Sequence, residues 1–337
     1  MTTIKDVAQK AGVSVATVSR VVNNGPKVSK KTIAHVKQVM TELGYTPNAN
    51  ARALVTQKSS TVGVVIPELT DPFFASLAGG VEQVARAYKR QLLLSTGQIS
   101  ADAELKAIQL LIERQCDVIV VHSKFLDDDT LINLSQQIKG LVIIDRFIPA
   151  IAQRCVWLDN QEGGKTAARH FVTLGHQSFA CISSNYQIED PSLRLNGFRQ
   201  GLESANFNLI AELTSFSEPT LRGGELATQK LLASNHQFSA LFVYNDAMAI
   251  GAISTLEDNG FRVPQDISVI GFDDVLLSRY SRPKLTTMHY PIEQMAQQAA
   301  ELAIALATNS HETINSQGIK HVPRLVKRES TASYTTI

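Results

Sequence analysis

A chain of 337 residues, 44% hydrophobic and 19% charged, can bury a large core and predicts two or three domains. Its net charge of +1 hides an asymmetry: residues 1–58 carry nine Lys or Arg against Asp6 and Glu42, leaving 23 basic and 29 acidic residues downstream. A cationic head on an anionic body suits a polyanion at one end only, and no apolar run reaches the roughly 18 to 20 residues of a membrane span.

Ile4, Val7, Ala8 and Ala11 have the spacing of a short amphipathic helix, which Gly12 ends. Ser14 can cap a second helix with Val18, Val21 and Val22 inward and Val15, Ala16, Ser19 and Arg20 on the opposite side. Ser29 opens a third, with Ile33, Val36, Met40 and Leu43 as its buried stripe and Gly44 as its end. The pattern predicts an all-α helix-turn-helix domain over residues 1–47. Arg20 can donate two hydrogen bonds to a guanine edge, while Val15 and Ala16 offer apolar contact to a thymine methyl. The spacing alone also allows a helical hairpin used for protein contacts. The opening MTTIKDVAQK lacks the apolar stretch of a secretory signal, so a cytoplasmic, nucleoid-associated protein is expected.

Residues 48–60 read as a hinge helix and linker. The segment from Asn48 to Val55 has helix-forming composition for barely two turns, too short to persist alone, so it orders only against a partner or DNA. Ser19, Asn50 and Arg52 join the candidate DNA contacts. Leu54 is an apolar side chain suited to wedge between base steps in the minor groove, or else packs back on the head.

From residue 61 to 337 the texture changes. Apolar runs at 62–66, 92–94, 118–121, 141–144, 179–182, 241–243 and 267–270 alternate with helical segments, which predicts parallel sheets covered on both faces. So much α/β structure divides naturally into two lobes with a cleft between them, and ligands bind such folds beyond the C-terminal strand ends. Polar and aromatic groups recur there: Asp71 to Phe74, His122 and Ser123, Asp145 and Arg146, Asn245 and Asp246, Asp273 and Asp274. Arg194 opens a helix nearby in the pattern. Carboxylate, amide and guanidinium groups with a Phe face are what a sugar needs, although each residue taken singly could equally cap a helix.

Other chemistries fail on spacing. Gly163-Gly164-Lys165-Thr166 resembles the end of a phosphate-binding loop, but the required first glycine is Asp159. Asp273 and Asp274 are adjacent on a strand end and diverge, and no nucleophile and base accompany them. The eight histidines lack metal-ligand spacing, and Cys116, Cys155 and Cys181 read as buried thiols. Trp157 reads as core, and Asp127 to Asp129 as a helix start. No catalytic residue, metal or cofactor is expected. An exported sugar-binding protein and a sugar-modifying enzyme are the rival classes to a ligand-gated DNA regulator.

The segments TIKDVAQKAGVSVATVSRVVNN and YTPNANARAL resemble the head and hinge of the lactose-repressor (LacI-type) family. RCVWLDN, GFDDVLLSRYSRPKLTT and YPIEQMAQQAAELAIALA resemble its galactose repressors, so the likeness covers nearly the whole chain. It implies Val15, Ala16 and Arg20 as major-groove readers and Leu54 as the minor-groove wedge of a homodimer on a palindromic operator. It implies a two-lobed α/β body like periplasmic binding proteins, crossing near residues 158, 290 and 320. Lobe 1 is then about 61–158 and 290–320, and lobe 2 about 159–289 and 321–337. Phe73, Phe74, Ser123, Asp145, Arg194, Asn245 and Asp273 fall where the family places effector contacts. The implied function is a repressor released from its operator by a sugar, D-galactose foremost, with another sugar, a phosphosugar or a purine as the alternative effector. The family's galactose repressors often carry Asn where this chain has Asp145. The tail after Arg324 to Arg328 has no heptads, which favours a plain dimer.

Overall fold

The computed structural model describes residues 2–23, 25–45, 61–309 and 316–334. The chain divides into two compact units, Met1–Ser60 and Thr61–Ile337. In the first, α1 (Ile4–Ala11) begins with a capping box in which Thr3 and Asp6 satisfy each other's backbone N–H, and Gly12 ends it at φ 65°. Ser14 accepts from the Thr17 N–H at 3.1 Å to start α2 (Val15–Val22). Ser29 caps α3 (Lys30–Glu42) in the same way through Thr32. Val7, Ala8, Ala11, Val18, Val21, Val36 and Val39 form the core, with Ile33, Met40 and Leu43 packed around it. The stripe on α3 contains the expected Ile33, Val36, Met40 and Leu43 and adds Val39, with Val36 and Val39 its buried members.

The second unit holds two six-stranded sheets. One contains β1 (Thr61–Ile66), β2 (Gln91–Thr96), β3 (Val118–His122), β4 (Gly140–Ile144), β5 (Cys155–Leu158) and β11 (Ile319–His321), in the order β11-β5-β4-β3-β1-β2. The other contains β6 (Phe179–Ser184), β7 (Thr214–Ser217), β8 (Ala240–Val243), β9 (Ser268–Asp273), β10 (Thr286–His289) and β12 (Arg324–Val326), in the order β12-β10-β9-β8-β6-β7. Every pairing is parallel except β10 with β12. The central strands are buried along their length, which is why they read as unbroken Val, Ile and Leu runs.

The helices that position the cleft are α4 (Pro72–Ala87), α5 (Ala101–Glu113) and α6 (Asp128–Gln137) in the first lobe, and α7 (Asn160–Thr173), α8 (Glu189–Glu203) and α9 (Leu221–Ala233) in the second. They are followed by α10 (Asp246–Asp258) and α11 (Leu276–Tyr280), and α12 (Ile292–Ala307) returns to pack on β3, β4 and α4.

Helices α7 and α8 share the most extensive helix–helix contact in the body, and glycine permits it. A Cβ on Gly164 would sit 2.1 Å from the Arg194 carbonyl oxygen, and one on Gly197 would sit 2.0 Å from that of Gln161. This contact holds Asn160 and Arg194 side by side. Gly164→Ala should destabilise the protein by about 1–3 kcal/mol through overpacking against backbone that has no rotamer to yield. Thermal unfolding reads this as a lowered Tm; an unchanged Tm would mean that the helices are free to separate.

Candidate functional site

In the first unit, α2 turns Val15, Ala16 and Arg20 to solvent while Val18 and Val21 are buried. Val15 is 41% exposed. Ser19 is half-buried and its Oγ accepts from Asn23 Nδ2 at 3.3 Å. These four form one face of a helix whose N-terminal turn is free to enter a groove. Asn50, Arg52 and Leu54 lie outside the described residues.

In the second unit, the C-terminal strand ends of both sheets converge on a cavity of about 130 Å³. The register of β3 on β4, with His122 opposite Ile144, sets His122 beside Asp145. Phe73 and Phe74, at the start of α4, line the first lobe's side with His122, Lys124 and Asp145. Asp190, Arg194, Tyr244, Asn245 and Asp273 line the side of the second lobe. A wider groove of about 760 Å³ shares Lys124, Tyr186 and Ile188 with the cavity. Asp145 (φ 63°) and Asp273 (φ 107°) both adopt positive φ, a local strain that aims the two carboxylates off their strand ends.

Two buried cations organise the walls. Arg194 donates from Nε to Asn160 Oδ1 at 2.8 Å and from Nη1 to the Tyr244 carbonyl at 2.7 Å, with Asp273 Oδ1 at 3.4 Å. Its guanidinium carbon lies 3.7 Å above the Phe272 ring centroid. Lys124 Nζ lies 2.9 Å from Asp145 Oδ2 and 2.8 Å from Asp190 Oδ2. The Asp145 carboxylate also accepts from Tyr290 Oη and pairs with His122 Nε2 at 3.1 Å. Phe74 meets His122 edge-on at 5.1 Å, and Phe73 meets Tyr290 at 4.9 Å.

Burial pushes the Asp145 carboxyl up, but the Lys124 charge and the His122 and Tyr290 hydrogen bonds override it and hold the group below its ordinary value. Asp273 goes the other way: desolvation lifts it well above the usual carboxylate range, with Arg194 opposing. Asp71 is raised for the same reason. Asp145 on the first lobe's side is thus held in its ionised form, while Asp71 on that same side and Asp273 on the second lobe's side are pushed toward the protonated form.

The model described as "Bacterial regulatory proteins, lacI family" matches residues 3–48, and that of a periplasmic binding protein-like domain matches residues 168–331. The HTH-type transcriptional regulator GalR of Escherichia coli K12 is 47% identical over 309 residues, 92% of this chain and 90% of its own. GalR of Salmonella typhimurium LT2 is 45% identical over 337 residues, 99% of this chain and 97% of its own. The chain belongs to the lacI family of bacterial regulatory proteins. A crystal structure of the lac repressor dimer bound to operator and the anti-inducer ONPF superposes with a TM-score of 0.86 at 28% identity, covering 98% of this chain and 99% of that one. The expected fold class, a helix-turn-helix domain followed by a two-lobed α/β body, is borne out.

Within this lacI-family body, the structure gathers six of the seven expected effector contacts around one cavity and leaves out Ser123. Its Oγ donates instead to Glu104 Oε2 at 2.6 Å, and that buried carboxylate also accepts the backbone N–H groups of Lys124, Phe125 and Leu126. Ser123 shapes the loop and does not face the cavity. Asn245 both lines the cavity and caps α10, accepting from the Met248 N–H at 2.9 Å. Asp274 turns away from Asp273 to bind Arg328 and His289, so the pair has separate partners.

Lys124, Asp190 and Tyr244 were not among the expected contacts. Asp190 and Arg194 stand one helical turn apart, a spacing that marks a shared face. Gly163 to Thr166 lie inside α7, where Gly163 packs on Phe272 and Pro323. Trp157 tilts against Phe147, outside the cavity. The three cysteines are free and buried, and desolvation raises the Cys181 thiol to about 12.

Behind the cavity, burial lifts the Asp246 carboxyl to about 7, against hydrogen bonds from Thr287 Oγ1 and the Val275 N–H. The unfolded chain ionises this group near its ordinary value of 3.8, while the folded chain keeps the proton until about 7. Its contribution to stability therefore falls as pH rises through that window. Asp246→Asn never ionises. Between about pH 4 and pH 8 it should gain stability relative to the wild type, by at most roughly 1.4 kcal/mol for each pH step across the window. Urea unfolding at both pH values checks this, and a pH-independent difference would contradict it.

Proposed function

We propose that the protein is a transcriptional repressor of sugar catabolism or transport genes that binds a palindromic operator as a homodimer and is released by D-galactose. The observation that carries the sugar reading is the cleft. Its buried Arg194 and Asn245 and partly buried Asp273 face Phe73 and Phe74 across a cavity with both hydrogen-bonding groups and aromatic surface. The GalR relatives favour galactose among sugars. Phe73 and Phe74 serve the apolar C–H face of the sugar, while Asp273, Arg194 and Asn245 take its hydroxyls.

The head over 1–47 reads DNA with Val15, Ala16, Ser19 and Arg20. The segment 48–60, with Asn50, Arg52 and Leu54, couples it to the two lobes of 61–337. Galactose prefers the lobe arrangement in which the two heads of a dimer cannot grip together, so operator affinity falls by the ratio of its affinities for the two states. The charged groups of the cleft are tied to one another and do not form a nucleophile–base pair, which supports a binding protein that is not an enzyme. The site of action is the cytoplasm, at the nucleoid.

Gel mobility on palindromic operator DNA should show a retarded complex that D-galactose dissolves. Galactose turnover without DNA binding would support the enzyme class instead. Arg20→Ala should weaken operator binding by about 1–3 kcal/mol and relax selectivity at one base pair of each half-site. Equal losses on operator and random duplex would assign Arg20 to phosphate contact alone.

A further inference from the structure

Resting on the effector-cleft reading above, we infer that Lys124 is a tethered competitor of the effector, an internal cation that ties the cleft shut and must withdraw for a sugar to enter. Three observations carry this. The first is valence. An ammonium has three N–H donors, and Lys124 Nζ spends them on the Asp145 carbonyl, Asp145 Oδ2 and the Asp190 carboxylate. It has no donor left for a ligand. Asp145 is engaged as well, its Oδ2 by Lys124 and His122 and its Oδ1 by Tyr290.

The second is connectivity. Lys124 and Asp145 follow β3 and β4 of one sheet, whereas Asp190 stands on α8 against the other sheet. The ion pair therefore clips the two lobes together, and its side chains are only 5% to 8% exposed. The third is volume. The cavity is about 130 Å³, and a dry cavity of about 150 Å³ holds one benzene. A hexose has twice the heavy atoms of benzene, so it does not fit while the clip is shut.

Lys124 also lines the wider groove, which gives its ammonium a way out to water. Once it leaves, Asp145 and Asp190 are free to accept sugar hydroxyls. The clip and the sugar thus exchange places on the same carboxylates, and the fraction of molecules with the clip shut lowers the apparent sugar affinity.

The test uses the full-length dimer, titrated with D-galactose in a calorimeter and measured sugar-free by small-angle scattering. Lys124→Met with Asp145→Asn removes one charge of each sign, so the cleft keeps its balance; Asp190→Asn removes only the acceptor across the lobes. The double variant should bind galactose about tenfold more tightly than wild type, and both variants should show a larger radius of gyration without sugar. Unchanged or weaker galactose binding by the double variant, whose new amide keeps an acceptor oxygen at position 145, overturns the competition. Unchanged scattering from both overturns the clip. A wild-type dimer that binds no galactose defeats the galactose reading, while the scattering still decides whether the clip exists.

Discussion

A guanidinium shut away from water constrains the body of this protein more than any apolar contact. Arg194 cannot shed its charge, and a buried unpaired cation is costly, so its partners must be in place whenever the chain is folded. Those partners come from three directions: Asn160 from the start of α7, the Tyr244 carbonyl from the end of β8, and Asp273 with the Phe272 ring from the end of β9. The close α7–α8 packing that Gly164 and Gly197 permit is what brings the first of these within reach. Arg194, Tyr244 and Asp273 are thereby held on one wall of a cleft, whatever the ligand. The opposite wall repeats the logic with Lys124 and Asp145 and adds Asp190 from across the gap. The pair of Lys124 with Asp190 crosses from one lobe to the other, so the walls are tied as well as lined by charge.

The head follows different physics. Its core is small and aliphatic, and its outward face on α2 carries Val15, Ala16 and Arg20 with few internal ties. Basic residues concentrate before position 59 and acidic ones after it, so the field favours DNA at one end and repels it from the other. Specific recognition then rests on a few base-edge contacts, while the charge imbalance supplies the affinity that salt weakens.

The sequence makes some of this plain and hides the rest for identifiable reasons. The three head helices are readable because 3.6-residue periodicity, Ser14, Ser29 and Gly12 all agree. The long buried strands are readable as apolar runs. The short edge strands β7, β11 and β12, and β10 with its Thr286-Thr287-Met288-His289, are not, because their stability comes from neighbours and not from a hydrophobic face. Thr287 is wholly buried yet polar, its hydroxyl given to Asp246. Six of the seven expected effector residues line the cavity, where fold geometry directs ligands. Ser123 stands at a strand end too but serves the loop, since Glu104 lies nineteen residues upstream and nothing local announces the bond. Lys124 and Asp190 escape notice because a charge in sequence looks solvated until its partner is brought to it.

Coupling between cleft and DNA is the central claim, and thermodynamic linkage makes it measurable from either side. If galactose loosens operator binding by some factor, saturating operator must loosen galactose binding by the same factor. The decisive measurement is the galactose Kd of the full-length dimer by calorimetry, with and without saturating operator DNA, set against the operator Kd with and without galactose. The account predicts two equal ratios, both above one. A galactose affinity indifferent to bound operator would show that the cleft does not govern the head.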